Sequence, residues 1–216
     1  SQQVFRTDPL RMLRTFRIAT ALGFQITSQT LGAICESAHL IRRSAGERIK
    51  AELLATLRNP EAFPYLCQMA QTPLLKTLFA NFKSRQEPSA ASKLHDHKAF
   101  KHALATIQQL EKVAIEFSKQ ASKSRHLAEM VNSVQHLSLL KLTALLIEAL
   151  IPKICMRRLP TDDRSTDVNQ EIPELPAPAV NRLRLANKEK NFIALILQNR
   201  FEPRALFNLH LKNLDI

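Results

Sequence analysis

The sequence has almost no glycine. Its 216 residues include only Gly23, Gly32 and Gly46, tryptophan is absent, and there is a single tyrosine. Such a chain has no glycine-rich phosphate cradle beyond residue 46. It is also a poor candidate for a sheet, which draws on aromatics and tight turns. The three cysteines, Cys35, Cys67 and Cys155, have no paired spacing, which excludes zinc-finger and redox motifs and predicts reduced, mostly buried thiols. The longest apolar run, 137–154, is interrupted by Ser138, Lys141, Glu148 and Lys153, so it does not read as a membrane span. No signal-peptide pattern is present, and the expected localisation is cytoplasmic. No serine, histidine and aspartate spacing suggests a catalytic triad.

What is abundant is leucine, alanine and positive charge. The composition predicts an all-α fold. The formal net charge of +12 and a pI near 10.1 point to an anionic partner, for which nucleic acid is the commonest choice. Charge alone leaves open a basic protein with no specific partner.

The stretch Thr7–Gly23 predicts one amphipathic helix, with Asp8 as N-cap, Pro9 at the first helical position and Gly23 as the C-terminal stop. Leu10, Leu13, Phe16, Ile18 and Leu22 would supply its apolar contacts, and Arg11, Arg14 and Arg17 line a neighbouring face. Asp8 and Arg11 admit two readings. They are a cap followed by a solvated arginine row, or they are an acceptor and a forked donor that together match the edge of a nucleobase.

A second helix is expected from Thr27 or Ser28 to Ala38, with Leu31, Ile34 and Cys35 inward. Ser44-Ala-Gly-Glu47 has the form of a capping box for a third helix, whose apolar stripe is Ile49, Leu53, Leu54 and Leu57. Asn59-Pro60 and Thr72-Pro73 each predict a cap and first-position proline of a short helix. Residues 83–94 are a polar break and divide the chain into regions 1–85 and 86–216. Further helices are expected over 98–119, 124–134 and 137–156. The proline-rich segment 159–180, acidic at Asp162, Asp163, Asp167, Glu171 and Glu174, predicts a disordered loop. Asn187 should cap a helix faced by Phe192, Ile193, Leu195, Ile196 and Leu197, and Pro203 should open a last short one. His95, Asp96, His97 and His102 form a cluster that suits either a metal or a solvated helix start.

Asp8-Pro-Leu-Arg-x-Leu-Arg-x-x-Arg17, followed by Leu22-Gly-Phe24, resembles the neck motif of the class II tRNA nucleotidyltransferase and bacterial poly(A) polymerase family. The family's usual form is Glu-Asp-x-x-Arg, and its Asp and Arg select the incoming base; they match Asp8 and Arg11. The preceding Glu, which helps orient the arginine, is Thr7 here. Ser44-Ala-Gly-Glu-Arg-Ile-Lys-Ala-Glu-Leu53 is similar to a second family helix, with Glu47, Arg48 and Glu52 matching. Spacing would let Glu52 hold Arg48 and brace the neck. Leu183-Arg-Leu-Ala-Asn-Lys-Glu189 resembles the segment that follows the family's body.

Many members carry a metal-dependent His-Asp (HD) phosphohydrolase-like body. Ala99-Phe-Lys-His-Ala-Leu104 resembles its first histidine segment. Where Leu-Leu-His-Asp-Ile-Gly-Lys-Pro would follow, residues 145–153 place Ile147 and Glu148 at the ligand pair. Isoleucine cannot bind a metal. The resemblance therefore implies a helical neck bundle, 1–85, and a degenerate HD-like body and tail, 86–216, with no metal site.

Phosphoryl transfer in this family uses a head with a Gly-Gly turn and an Asp-x-Asp metal pair. Neither occurs in these 216 residues. The resemblance implies an RNA-binding, base-selecting portion, without catalytic residues of its own. Its head would lie upstream or on another polypeptide. Mg2+ and ATP or CTP would serve the complete enzyme, and an RNA 3′ end and a nucleoside triphosphate would be its partners. Arg14, Arg17, Arg42, Arg43 and Lys50 are the candidate phosphate contacts. The alternatives are a stand-alone RNA-binding module and an HD-type phosphohydrolase. The degenerate-body reading is tested by metal analysis of protein purified without chelator. Well under one equivalent of manganese, iron, nickel or zinc is expected, and a stoichiometric metal lost in His102→Ala would overturn it.

Overall fold

The computed structural model describes residues 2–79, 90–121, 135–150 and 182–198, and these are all-α. The helices are α1 (Gln2–Thr7), α2 (Arg11–Leu22), α3 (Ser28–Ser37), α4 (Gly46–Leu57), α5 (Phe63–Gln71), α6 (Pro73–Phe79), α7 (Ala90–Ala121), α8 (Gln135–Leu150) and α9 (Asn187–Gln198), with a 3₁₀ segment at Ala38–Arg43. Among the described residues no helix is long and apolar enough to cross a membrane. The expected segments 124–134 and 159–180 and the helix after Pro203 lie outside these residues. So do the side chains of His95, Asp96, His97, Ile147 and Glu148. Of the polar break at 83–94, residues from Ala90 on belong to α7.

The helix expected over 7–23 is α2, which starts at Arg11 rather than Pro9, and a separate short helix, α1, precedes it. α1 ends at Thr7, and Asp8 and Pro9 turn the chain into α2. Asp8 caps the turn ahead of α2 rather than α2 itself, whose N-cap is Leu10: its Oδ1 accepts from Leu10 N at 3.2 Å, and its carbonyl accepts from Arg11 N. Pro9 has no N–H to continue α1. α2 buries Met12, Leu13, Phe16, Ala19 and Thr20, whereas Ile18 and Leu22 are 44% and 59% exposed. The small residues Ala19 and Thr20 carry the inner face, which apolar periodicity overlooks. Gly23 ends α2 at φ 69°, the left-handed conformation that suits glycine.

Thr27 caps α3 through Thr30 N, and Thr72 accepts from Leu74 N ahead of Pro73. Ile34 is buried and Leu31 packs against the core, but Cys35 is exposed. The capping box Ser44–Glu47 does not form. The N–H of Ser44 closes the 3₁₀ segment on Ile41, so α4 starts one residue later, with Ala45 as N-cap. The start of α4 is tight: a Cβ at Gly46 would lie 1.7 Å from the carbonyl oxygen of Arg182. Asn59-Pro60 makes a turn rather than a helix, with Asn59 Oδ1 accepting from Glu61 N, and α5 begins at Phe63.

A residue far along the chain caps α5. The Glu111 carboxylate on α7 accepts from Ala62 N at 3.0 Å and Phe63 N at 3.2 Å, placing negative charge at a helix N-terminus. The same carboxylate takes Lys141 Nζ of α8 at 2.6 Å, and Lys141 donates to the Asn59 carbonyl at 2.8 Å. Lys141 has no exposed surface. Burial pushes its pKa down, opposed by the hydrogen bond and charge of Glu111. One buried cluster runs from Phe5, Phe16, Ile49 and Leu53 through Ile107, Leu142 and Leu145 to Leu183 and Ile193, so both regions of the chain share it. Burial and the Glu111 charge raise the Cys67 pKa.

Lys141→Met should cost about 3–5 kcal/mol, because it leaves a buried carboxylate without its cation. Adding Glu111→Gln should restore part of that, since an amide oxygen still accepts from α5. Urea denaturation of the three proteins checks this. A loss below about 1 kcal/mol for the single variant would show the pair to be structurally idle.

Candidate nucleic-acid interface

Asp8 and Arg11 sit one turn apart where α1 gives way to α2. One oxygen of Asp8 is used in the cap. Its Oδ2 lies 3.7 Å from Arg14 Nη1 and 3.8 Å from Arg48 Nη2, close enough for charge attraction and too far for a hydrogen bond. That oxygen retains acceptor capacity. Arg11 is exposed, and its guanidinium has no ion pair among the described residues. The Thr7 hydroxyl donates to the Gln3 carbonyl and does not engage Arg11.

The brace expected between Arg48 and Glu52 is replaced by another. Glu52 on α4 accepts from Arg14 Nε at 2.9 Å and Arg17 Nε at 2.6 Å on α2. Arg48 turns towards Asp8. Arg14 and Arg17 lie three apart on the face of α2 that meets α4, so one carboxylate reaches both forks. The hydrogen bond and charge of Glu52 raise the Arg14 pKa further. Arg48 and Glu52 thus still link the two helices, through α2 rather than to each other.

Lys50, a candidate phosphate contact, is held by Glu189 at 2.8 Å and by the Arg184 carbonyl at 3.4 Å. Glu47 accepts from Arg184 Nη1 at 2.7 Å. Its pKa is lowered chiefly by a hydrogen bond from its own backbone N–H, with Arg184 and Lys50 adding to the effect. Glu189 also accepts from Ala186 N, three residues back, which makes Ala186 rather than Asn187 the capping position of α9. Arg184 enters this turn at φ 46°. Arg42 and Arg43 are exposed, and Arg182 holds the segment behind them by donating to the carbonyls of Ile41 and Arg42.

Of the five candidate phosphate contacts, the structure therefore engages Arg14, Arg17 and Lys50 with carboxylates and leaves Arg42 and Arg43 outward. Sequence reasoning missed Arg182, Arg184 and Glu189. The spacing Ala186-x-x-Glu189 carried a signal for the last of these.

A sequence model of the family described as "Probable RNA and SrmB-binding site of polymerase A" matches residues 23–85. The CCA-adding enzyme of Lactococcus lactis subsp. cremoris is 30% identical over 193 residues, covering 78% of this chain and 45% of its own length. The chain belongs to the family of CCA-adding enzymes and poly(A) polymerases. Other relatives match over shorter stretches. The CC-adding tRNA nucleotidyltransferase of Geobacter sulfurreducens is 39% identical over 79 residues, 37% of this chain and 18% of that protein. The CCA-adding enzyme of Lactiplantibacillus plantarum is 44% identical over 93 residues, 37% of this chain and 23% of that enzyme. The chain spans less than half the length of the family members it matches. Among the described residues no group of histidine, cysteine, aspartate and glutamate could hold a metal ion.

Removing the cap and removing the charge of Asp8 are separable. Asp8→Ala should destabilise the chain by about 1 kcal/mol, whereas Asp8→Asn, which can still accept from Leu10 N, should change stability by only a few tenths. Thermal and urea unfolding of the two variants check this, and equal losses would show that Oδ1 is not acting as a cap.

Proposed function

We propose that this chain is the RNA-binding and nucleotide-selecting part of an enzyme that adds nucleotides to RNA 3′ ends without a template. The observation that carries the proposal is the Asp8–Arg11 pair. An acceptor with a free lone pair, and a guanidinium with no ion pair among the described residues, stand one turn apart at the start of a helix braced from behind by Glu52. They occur in a chain aligned over 193 residues with a CCA-adding enzyme.

The base selection follows from hydrogen-bond polarity. Adenine and cytosine each present an exocyclic amine beside a ring nitrogen acceptor. Asp8 Oδ2 accepts from the amine, and Arg11 donates to the ring nitrogen. Guanine and uracil place a carbonyl oxygen where the amine would be. Two acceptors then face one another, and the mismatch leaves polar groups unpaired. Within these 216 residues there is neither a Gly-Gly nor an Asp-x-Asp sequence, so phosphoryl transfer belongs to a head domain that supplies them. Mg2+ and ATP or CTP act in the complete enzyme, where the metal would neutralise charge on the triphosphate.

In this reading residues 1–85 serve as neck, and 86–216 as a degenerate HD-like body and tail. The division is one of roles along the sequence. The body's described part acts on the neck through Glu111 and Lys141 rather than through a metal. Arg42 and Arg43 are the outward cations on the neck available for RNA phosphates. The complete enzyme works in the cytoplasm. A stand-alone RNA-binding module remains as the second reading, because the match at 23–85 is to a sequence described as an RNA-binding site.

Two experiments test the proposal. The 216-residue chain should bind labelled RNA, lose affinity steeply with salt as counterion release weakens, and extend no RNA with any of the four nucleoside triphosphates. Extension by the pure chain would reveal a catalytic site within it. In the enzyme completed by its head, Asp8→Asn should fold normally and accept GTP or UTP more readily, because an amide can present a donor where the carboxylate could not. Arg11→Ala should lose discrimination as well. Wild-type selectivity and rate in both variants would reduce the pair to a cap and a surface charge.

A further inference from the structure

Several cations of the described residues are tied to acids. Arg14, Arg17, Lys50, Lys141 and Arg184 each pair with a carboxylate. Arg6, His39 and Arg43 have no ion pair among the described residues, although a carboxylate stands among them. These three, with Glu36, Ser37 and Leu40, line an open groove of about 370 Å³ between the last turn of α1, the end of α3 and the 3₁₀ segment. Sites for small ligands generally occupy roughly 300–1,000 Å³, and this groove lies at the lower end of that range.

Two outward guanidinium forks suit a phosphodiester, which they can grip bidentately. The half-buried Leu40 and the imidazole of His39 offer a flat, partly apolar surface to a base or sugar. Glu36 is acceptor-only when ionised, and it is exposed. It would repel a second phosphate or an acidic side chain and would accept a hydrogen bond from a ribose hydroxyl. That combination fits RNA better than an acidic peptide. The 3₁₀ segment that carries His39, Leu40 and Arg43 is held from behind by Arg182, so its outward side chains stand on a fixed backbone.

We infer that this groove is a subsite for one nucleotide of single-stranded RNA, separate from Asp8 and Arg11, in which Arg6 and Arg43 hold phosphate and Glu36 reads the ribose 2′-hydroxyl. The inference rests on the RNA-binding reading of the chain and adds to it a location and a preference for RNA over DNA.

The test uses the full 216-residue chain and fluorescence anisotropy with a labelled single-stranded RNA of about a dozen nucleotides and the DNA of the same sequence. Arg6→Ala/Arg43→Ala should weaken RNA binding about tenfold and make the salt slope shallower by about 2. Lys101→Ala/Lys112→Ala removes the same charge from exposed positions on α7 and should change affinity by less than about twofold. Glu36→Ala should lower the RNA-over-DNA preference by about fivefold while leaving DNA affinity in place. All these positions are on the surface, and circular dichroism verifies folding.

If the unaltered chain binds RNA and the Arg6→Ala/Arg43→Ala variant binds it equally well, the groove inference fails while the RNA-binding reading stands. If the unaltered chain binds no RNA, both fail. Binding of a poly-glutamate peptide that depends on Arg6 and Arg43, with RNA binding independent of them, would assign the groove to an acidic protein partner and overturn the inference.

Discussion

The contact between Glu111 and Lys141 ties together more of this molecule than its size suggests. Two charges are withdrawn from water, which is unfavourable unless every lone pair and proton finds a partner. Here the carboxylate is met by Lys141 and by two backbone N–H groups at the start of α5, and the ammonium also meets the Asn59 carbonyl. The Asn59 side chain in turn donates to the carbonyl of Thr20 at the end of α2, at 2.9 Å. An unbroken series of polar contacts thus leads from the middle of α8 to the helix that carries Arg11. Through these contacts α7 and α8 brace the helix that carries Arg11.

The charge of +12 is not spread evenly. On the side where α2, α4 and the 182–189 segment meet, arginines and lysine alternate with Asp8, Glu47, Glu52 and Glu189. Most of those pairs are partly exposed, so salt screens them and each contributes modestly. Their common effect is to hold α2 and α4 in register. On the 3₁₀ side Arg6, His39 and Arg43 have no ion pair among the described residues.

The helical class was legible from glycine and aromatic scarcity, and most helix positions from apolar spacing and caps such as Thr27 and Thr72. Failures cluster where a distant group overrides local logic. Asn59-Pro60 has the sequence of a helix start, yet α5 waits for Glu111, 48 residues away from Phe63. Ser44 has the sequence of a cap, but its N–H is already committed to the 3₁₀ segment. Ile18 and Leu22 satisfy helical periodicity and still face water, because α2 buries Ala19 and Thr20 instead. At the candidate site the motif marked Asp8 and Arg11, but not which carboxylate would hold which arginine. Glu52 sits at the right spacing for Arg48, and its two partners come from another helix. Lys141 did leave a trace: a lysine within Leu137–Leu146, otherwise mostly apolar, has no reason to be there unless an acid is buried with it.

The crowding at Gly46 bears on what counts as a unit in this chain. The backbone of Arg182 and Leu183 lies where a side chain at 46 would be, and Leu183, Leu185 and Ile193 complete the same buried cluster as Ile49 and Leu53. The stretch 23–85, recognisable as a module by its sequence, is therefore not self-contained in space. Excised, it would present to water a face shaped to receive residues found more than a hundred positions later. Its autonomy is a property of the alignment, while in the fold it shares its buried cluster with Phe5 and Leu13 before it and with Leu183, Leu185 and Ile193 after it.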